Sequence, residues 1–316
     1  MPDDFNAGAP WLRSTEDEQW HSLPASSARL APRRHLQGDF FLADIADASP
    51  KDDLLSIEHP FFALRAGDRR IRTYERNGNS ITIKPGADGC ATIFDKDLWI
   101  YCISQLVEAI NRGRADVGAT VRFTAYDFLV TTNRPTSGVG YRRLVGTLER
   151  LKGTVIQTNI ATDGKREQRG FNLIDEYGAA EVLNKRSPAI EVILPDWLWH
   201  SIRERRVLTL SRDYFRLRKP LDRRVYELAR KHCGAQPRWR AKLSTLHAKS
   251  GSTDTLRKFR AALKATAEGN ELPGYLLALD PYTDTATFYP RSIGGRKAQL
   301  ADLVSSLKKP TKRGCG

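Results

Sequence analysis

One order of elements is written twice along this chain, and it restricts the fold more than any single motif does. Phe94–Gly113 (FDKDLWIYCISQLVEAINRG) carries Leu98, Tyr101, Cys102, Leu106 and Ile110 at helical spacing and stops at glycine. Val121–Phe123 reads as a short strand, Thr124–Arg134 as a short helix opened by a capping threonine, and Pro135–Gly138 as a tight turn. Val139–Gly153 is a second helix ended by glycine. Thr154–Ile160 and Gly170–Tyr177 alternate like paired strands about the polar tip ATDGKREQR. Helix, strand, helix, turn, helix and hairpin, in that order, predict a winged helix: a helix-turn-helix with a β-hairpin beside it.

The order returns roughly 110 residues later, without repetition of the residues themselves. Pro220–Gly234 begins with proline, ends at glycine and carries apolar Val225, Leu228 and Ala229. Arg238–Ala241 is strand-like, Leu243–Gly251 a short helix, Ser252–Asn270 a capped helix, and GYLLALD with TATFYP a closing hairpin. Between the two modules AIEVIL reads as a strand and PDWLWHSIRERR as a helix starting at proline. Ahead of them, Asn77-Gly78 inside IRTYERNGNSITIKP signals another hairpin. The expected fold is therefore α+β, with two winged-helix domains in tandem. Residues 1–50, with Pro10, Pro24, Pro32 and Pro50, form a leader, and ordered structure is expected from about Leu54. The first domain, with extra strands, is expected at 51–205, the second at 206–292, and a basic tail at 293–316.

Charge narrows the partner. The chain of 316 residues has a formal net charge of +14, unevenly placed. Residues 1–60 hold eleven acids against five bases, a net of −6, which leaves +20 on the remainder. A folded body that basic repels itself unless a polyanion is present, and nucleic acid is the usual one. No apolar run approaches the length of a bilayer span, and MPDDFNAGAP lacks the basic flank and hydrophobic stretch of a signal peptide. Cys90, Cys102, Cys233 and Cys315 are scattered without a Cys-x-x-Cys pair, as suits reduced thiols in a cytoplasm. A soluble cytoplasmic protein is expected.

Two helix faces are candidates for reading DNA. On Val139–Lys152, Leu144, Leu148 and Leu151 line one stripe, and Arg142, Arg143, Gly146, Glu149 and Arg150 lie opposite at about 100° per residue. The second helix of a helix-turn-helix enters the major groove, where arginine can fork onto guanine. Arg134, Ser137 and Tyr141 flank that helix start. In the second module Leu256, Phe259, Leu263 and Ala267 form the buried stripe. Arg257, Lys258, Ala261 and Lys264 face outward, with Arg260 on the flank. Thr253 and Thr255 stand at the helix start, where hydroxyls and amides can hold phosphate. The tips Lys165, Arg166 and Arg169, and later Arg291, Arg296 and Lys297, suit contact with the DNA backbone. Two reading helices on one chain imply a bipartite site, with centres about 10–10.5 base pairs apart if both use one face.

Several chemistries are unsupported. No G-x-x-x-x-G-K-[ST] loop exists, so no ATP hydrolysis is expected. The six histidines are dispersed, with no His-x-His cluster for a metal-assisted nickase and no zinc pattern. Asp95-x-Asp97 has the spacing of paired magnesium carboxylates, but it falls at a helix start, where aspartate caps amides. The chain is expected to be no enzyme and to take no cofactor or metal.

Longer strings carry a family resemblance. KDDLLSIEHPFFAL (Lys51–Leu64), CATIFDKDLWIYCISQL (Cys90–Leu106), VRFTAYDFLVTTNRPTSGVGY (Val121–Tyr141) and LERLKGTVIQTNI (Leu148–Ile160) resemble the plasmid replication initiator A proteins of proteobacteria. The resemblance covers roughly Asp39 to Pro290, and reaches the second module more by architecture than by motif. It implies a non-enzymatic, cytoplasmic initiator that binds repeated sequences in double-stranded origin DNA, opens them and helps load the host helicase alongside the host initiator. It also implies, by analogy, a monomer on DNA and a homodimer that represses its own gene. In the leader, QGDFF (Gln37, Phe40, Phe41) is similar to peptides that dock on the polymerase sliding clamp; the competing reading packs Phe40 and Phe41 on the first domain. A dedicated transcriptional repressor with no role in replication is the alternative function.

Overall fold

The computed structural model describes residues 41–76, 78–159, 169–180 and 188–307. They fall into two compact units that divide between Thr209 and Leu210.

The first unit runs β1 (Phe41–Leu42), β2 (Lys51–Asp53), α1 (Leu54–Glu58), β3 (Arg72–Arg76), β4 (Asn79–Lys84), α2 (Lys96–Asn111), β5 (Thr120–Thr124), α3 (Ala125–Thr131), α4 (Gly138–Gly153), β6 (Val155–Thr158), β7 (Arg169–Asn172), β8 (Glu176–Ala180), β9 (Ala189–Ile193), α5 (Asp196–Arg203) and β10 (Val207–Thr209). One sheet has the order β1-β5-β9-β8, a second β3-β4-β6-β7, and β10 pairs with β2. The hairpin after α4 is antiparallel, with Val155 opposite Asn172 and Thr158 opposite Arg169. It is widened by β4, which pairs along β6 from Ile81–Thr158 to Lys84–Val155. GFNLIDEY, expected to be one strand, divides instead. Leu173 and Ile174 are adjacent and both buried, which no single pleated strand allows on one face, so β8 leaves for the other sheet.

α2 is buried on every side over most of its length, including Ile100, Ile103, Ser104 and Gln105 beyond the expected stripe. Two of its polar residues, Gln105 and Ser104, are satisfied by backbone at the end of the expected leader and just beyond it. Gln105 Nε2 donates to the Ile45 carbonyl at 2.7 Å and its Oε1 accepts from Ile45 N at 2.9 Å, while Ser104 Oγ accepts from Lys51 N at 2.7 Å. Ordered structure thus begins by Phe41, earlier than expected, because α2 needs these partners. Phe41 itself is 0% exposed, registered opposite Val121 and lying 4.7 Å below the Arg114 guanidinium. A ring so enclosed cannot dock on a sliding clamp, which corrects that reading for Phe41; Gln37 and Phe40 lie outside the described residues. At the start of α2, Lys96 Nζ meets Asp52 Oδ2 at 2.7 Å with both side chains 0% exposed.

The second unit has a short 3₁₀ turn (Arg212–Arg216), then α6 (Pro220–Cys233), β11 (Trp239–Lys242), α7 (Leu243–Ser250), α8 (Leu256–Gly269), β12 (Tyr275–Asp280), β13 (Thr285–Pro290) and α9 (Ile293–Leu307). Its sheet has the order β11-β13-β12, both pairs antiparallel. α6 buries Val225, Leu228 and Ala229 together with a charged cluster. There Arg224 Nη1 meets Glu227 Oε2 at 3.0 Å, and Tyr214 Oη donates to Glu227 Oε1 at 2.7 Å. The segment 293–307, expected to be a basic tail, is the helix α9. Asp302 pins it to the sheet by accepting from Tyr289 Oη at 2.7 Å and pairing with Arg240 at 2.7 Å and with Arg238. Cys90, Cys102 and Cys233 are buried free thiols. Among the described residues no helix is long and apolar enough to cross a membrane.

Candidate nucleic-acid interface

In the first unit the turn from α3 to α4 is set by close packing. Gly140 is buried, and a Cβ there would overlap the Pro135 carbonyl oxygen, so only glycine lets the first turn of α4 seat against the preceding loop. Leu144, Leu148 and Leu151 then fall into the core. That rotation leaves Arg142 and Arg143 exposed, and neither forms an ion pair with a described residue.

Arg150 and Arg134 are corrections. Arg150 Nε meets Asp95 Oδ2 at 2.8 Å and its Nη2 meets Asp95 Oδ1 at 2.7 Å. The guanidinium lies against Gly146, 3.1 Å from where a Cβ of that glycine would stand. The hydrogen bond to Asp95 is the main cause that holds the Arg150 guanidinium above its ordinary pKa. Asp95 also accepts from Thr147 Oγ1 at 2.7 Å and from Thr92 N and Oγ1 at 2.7 and 2.9 Å. The carboxylate therefore caps backward onto Thr92 instead of forward into α2. Arg134 Nη2 meets Asp97 Oδ2 at 2.9 Å and donates to the Phe94 carbonyl, with its guanidinium 5.5 Å above the Phe128 ring. Both arginines, read from sequence as DNA contacts, instead tie α4 and its preceding loop to the start of α2. Tyr141 is half-buried against the core, and Ser137 is the half-buried N-cap of α4, whose carbonyl accepts from Gly140 N at 2.7 Å. Arg169 is exposed at the start of β7; Lys165 and Arg166 lie outside the described residues.

In the second unit Phe259 and Leu263 fill the core side of α8, joined by Thr266, whose hydroxyl donates to Asp222 Oδ1 at 2.6 Å. Leu256 and Ala267 are half-buried. Arg257, Lys258, Ala261 and Lys264 are exposed as expected. Arg257 and Lys258 pair with no described residue, and Lys264 reaches Glu268 only at 3.7 Å. Thr255 caps the helix, accepting from Lys258 N at 3.4 Å, and Thr253 is exposed in the loop before it.

Arg260 is exposed but engaged. It pairs with Asp284 through Nε at 2.9 Å and Nη2 at 2.8 Å, tying α8 to the turn between β12 and β13. That turn presents Tyr282, 94% exposed, over Asp280, whose carboxylate accepts from Tyr282 N at 2.9 Å and Thr283 Oγ1 at 2.7 Å. The tip is thus aromatic and acidic. Arg291 is far along β13 from it and donates to the Asn270 carbonyl at 2.9 Å, while Arg296 and Lys297 are exposed on α9.

Val139 belongs to the same face as Arg142 and Arg143, although no charge in the sequence marks it. It is 44% exposed in the first turn of α4, three and four positions before those arginines. The signal was available in the i, i+3, i+4 spacing of 139, 142 and 143.

A family model described as Replication initiator protein A matches residues 51–277. A protein of Wigglesworthia glossinidia brevipalpis, assigned to replication by its name, is 43% identical over 257 residues, 80% of this chain and 94% of its own. Among solved structures, a crystal structure of domains 2 and 3 of RctB superposes with a TM-score of 0.55 at 10% identity, covering 76% of this chain and 97% of that one. A second RctB structure of domains 2–3 superposes with a TM-score of 0.45 at 13% identity, covering 74% of this chain and 95% of that one. At 10% identity the first of these likenesses concerns the fold alone.

Proposed function

Because the chain belongs to the Replication initiator protein A family, we propose that it binds a specific duplex at a replication origin, with α4 and α8 as the reading helices of two winged-helix domains. The observation that carries this reading is a pair of matched helix faces. Each helix buries an apolar stripe and turns outward two adjacent cations that pair with no described residue, Arg142 with Arg143 and Arg257 with Lys258. A cation pair held on a rigid helix beside a hairpin suits the major groove, where the arginine fork matches guanine O6 and N7.

The site would be bipartite and recur as direct repeats, occupied by a monomer, with a dimer repressing the gene. The protein would act without catalysis in the cytoplasm, on plasmid DNA, and recruit the host initiator and replicative helicase by contact. A footprint on the DNA flanking its own gene, with excess competitor duplex, tests this. Protection of evenly spaced repeats is expected. Protection confined to a promoter would favour a dedicated repressor, and no protection above competitor would overturn the reading.

A further inference from the structure

We propose that Val139 reads the C5 methyl of a thymine in the duplex held by α4; the assignment rests on the role given to α4 above. The side chain is 44% exposed, yet it occupies the face it shares with Arg142, Arg143 and Gly146, at spacings of three, four and seven. Glycines stand on either side of it, Gly138 and Gly140, so no neighbouring side chain in the sequence shields it. In the free protein a half-exposed β-branched residue in a helix is a small disadvantage, because its χ1 is restricted and part of its apolar surface stays in water.

Duplex DNA supplies the missing partner. Thymine is the one base that presents an apolar group in the major groove. The first-turn residues of a groove-bound helix are the ones that approach base edges. The backbone at this point is fixed, since Gly140 is seated on the Pro135 carbonyl and leaves the first turn of α4 no room to shift inward. Arg142 and Arg143, one turn further along, would then fork onto guanine beside that thymine. The half-site read by the first unit therefore contains a thymine next to a guanine, with Val139 on the methyl and an arginine on the purine.

The test is a uracil scan. Each thymine of the footprinted duplex is replaced singly by deoxyuridine, which removes the methyl and keeps the pairing. For the wild-type chain one substitution should weaken binding about three- to fivefold, the scale of one buried methyl, with the others near neutral. Val139→Ala should bind the methylated and unmethylated duplexes equally and melt at the same temperature as the wild type. Val139→Thr, which keeps one methyl, should restore part of the discrimination. A flat scan with the wild type, or an undiminished loss at the same thymine with Val139→Ala, overturns the assignment while leaving duplex binding intact. A chain with no preferred duplex overturns the assignment and the role of α4 together.

Discussion

Arg150 closes a two-bonded fork on Asp95, Nε to Oδ2 at 2.8 Å and Nη2 to Oδ1 at 2.7 Å, across 55 residues of chain. An arginine of α4 is thereby committed to the frame of its own unit, and the outward face of the helix is left to Arg142 and Arg143. The two kinds of arginine should separate cleanly by experiment.

Arg150→Ala leaves a nearly buried carboxylate with only its threonine partners. It should lower the stability of the first unit by roughly 2–3 kcal/mol. Arg150→Lys should recover little of this, because an ammonium cannot fork. Arg142→Ala and Arg143→Ala should leave the urea midpoint within about 0.5 kcal/mol of wild type. Equal destabilisation by all three would contradict the division.

Gly140→Ala places a methyl on the Pro135 carbonyl oxygen. The loop or α4 must move, at roughly 1–3 kcal/mol by chemical denaturation. Gly146→Ala brings a methyl to 3.1 Å from Arg150 Nη1, a side-chain atom and no backbone. It should cost less than Gly140→Ala, with the gain in helix propensity of about 1 kcal/mol set against the small shift asked of the fork. A harmless Gly140→Ala would show that the start of α4 is not fixed as described.

The Lys96–Asp52 pair is closed off from solvent on both sides. Lys96→Ala should cost roughly 3–5 kcal/mol, since it strands a buried carboxylate. The double replacement Asp52→Leu with Lys96→Met should cost less than either single change, as thermal denaturation can show. A double change worse than both singles would mean that the pair is a net source of stability.

Alkaline pH should loosen the second unit. Burial is the main cause that pushes the phenols of Tyr226 and Tyr289 up to about 12, from an ordinary value of 10.0. A raised acid is protonated in the folded state while the unfolded chain already ionises. The stabilising contribution is complete below pH 10 and is lost as pH rises through 12. Tyr289 is also the donor that holds Asp302 of α9. Tyr289→Phe should flatten part of the fall in urea midpoint between pH 10 and pH 12, and an unchanged slope would contradict the assignment.

The sequence carried the order of elements well, because glycine and proline punctuate it. Pro220, Gly153, Gly234 and Gly251 mark helix ends close to where the structure puts them, and Leu144, Leu148, Phe259 and Leu263 are buried as their spacing predicts. What it could not carry was the fate of individual cations. Arg134, Arg150 and Arg260 find their carboxylates 37, 55 and 24 residues away, and no local pattern encodes such pairs. α9 was hidden for a related reason: its tie to the sheet is the single acid Asp302 among lysines and arginines that read as a solvated tail. The end of the leader is not legible in the sequence because Phe41 and Ile45 find their partners only once α2 and β5 are in place.

The central claim is that the outward cations of α4 and α8 read one duplex. The most direct measurement is the affinity of wild type, Arg142→Ala and Arg257→Ala for the footprinted duplex and for a scrambled one, across a salt titration. Each variant should lose roughly 1–3 kcal/mol on the footprinted duplex and less on the scrambled one, so that the preference narrows. Both duplexes should weaken steeply with salt, as phosphate neutralisation requires. Affinity and preference unchanged in both variants would contradict the account.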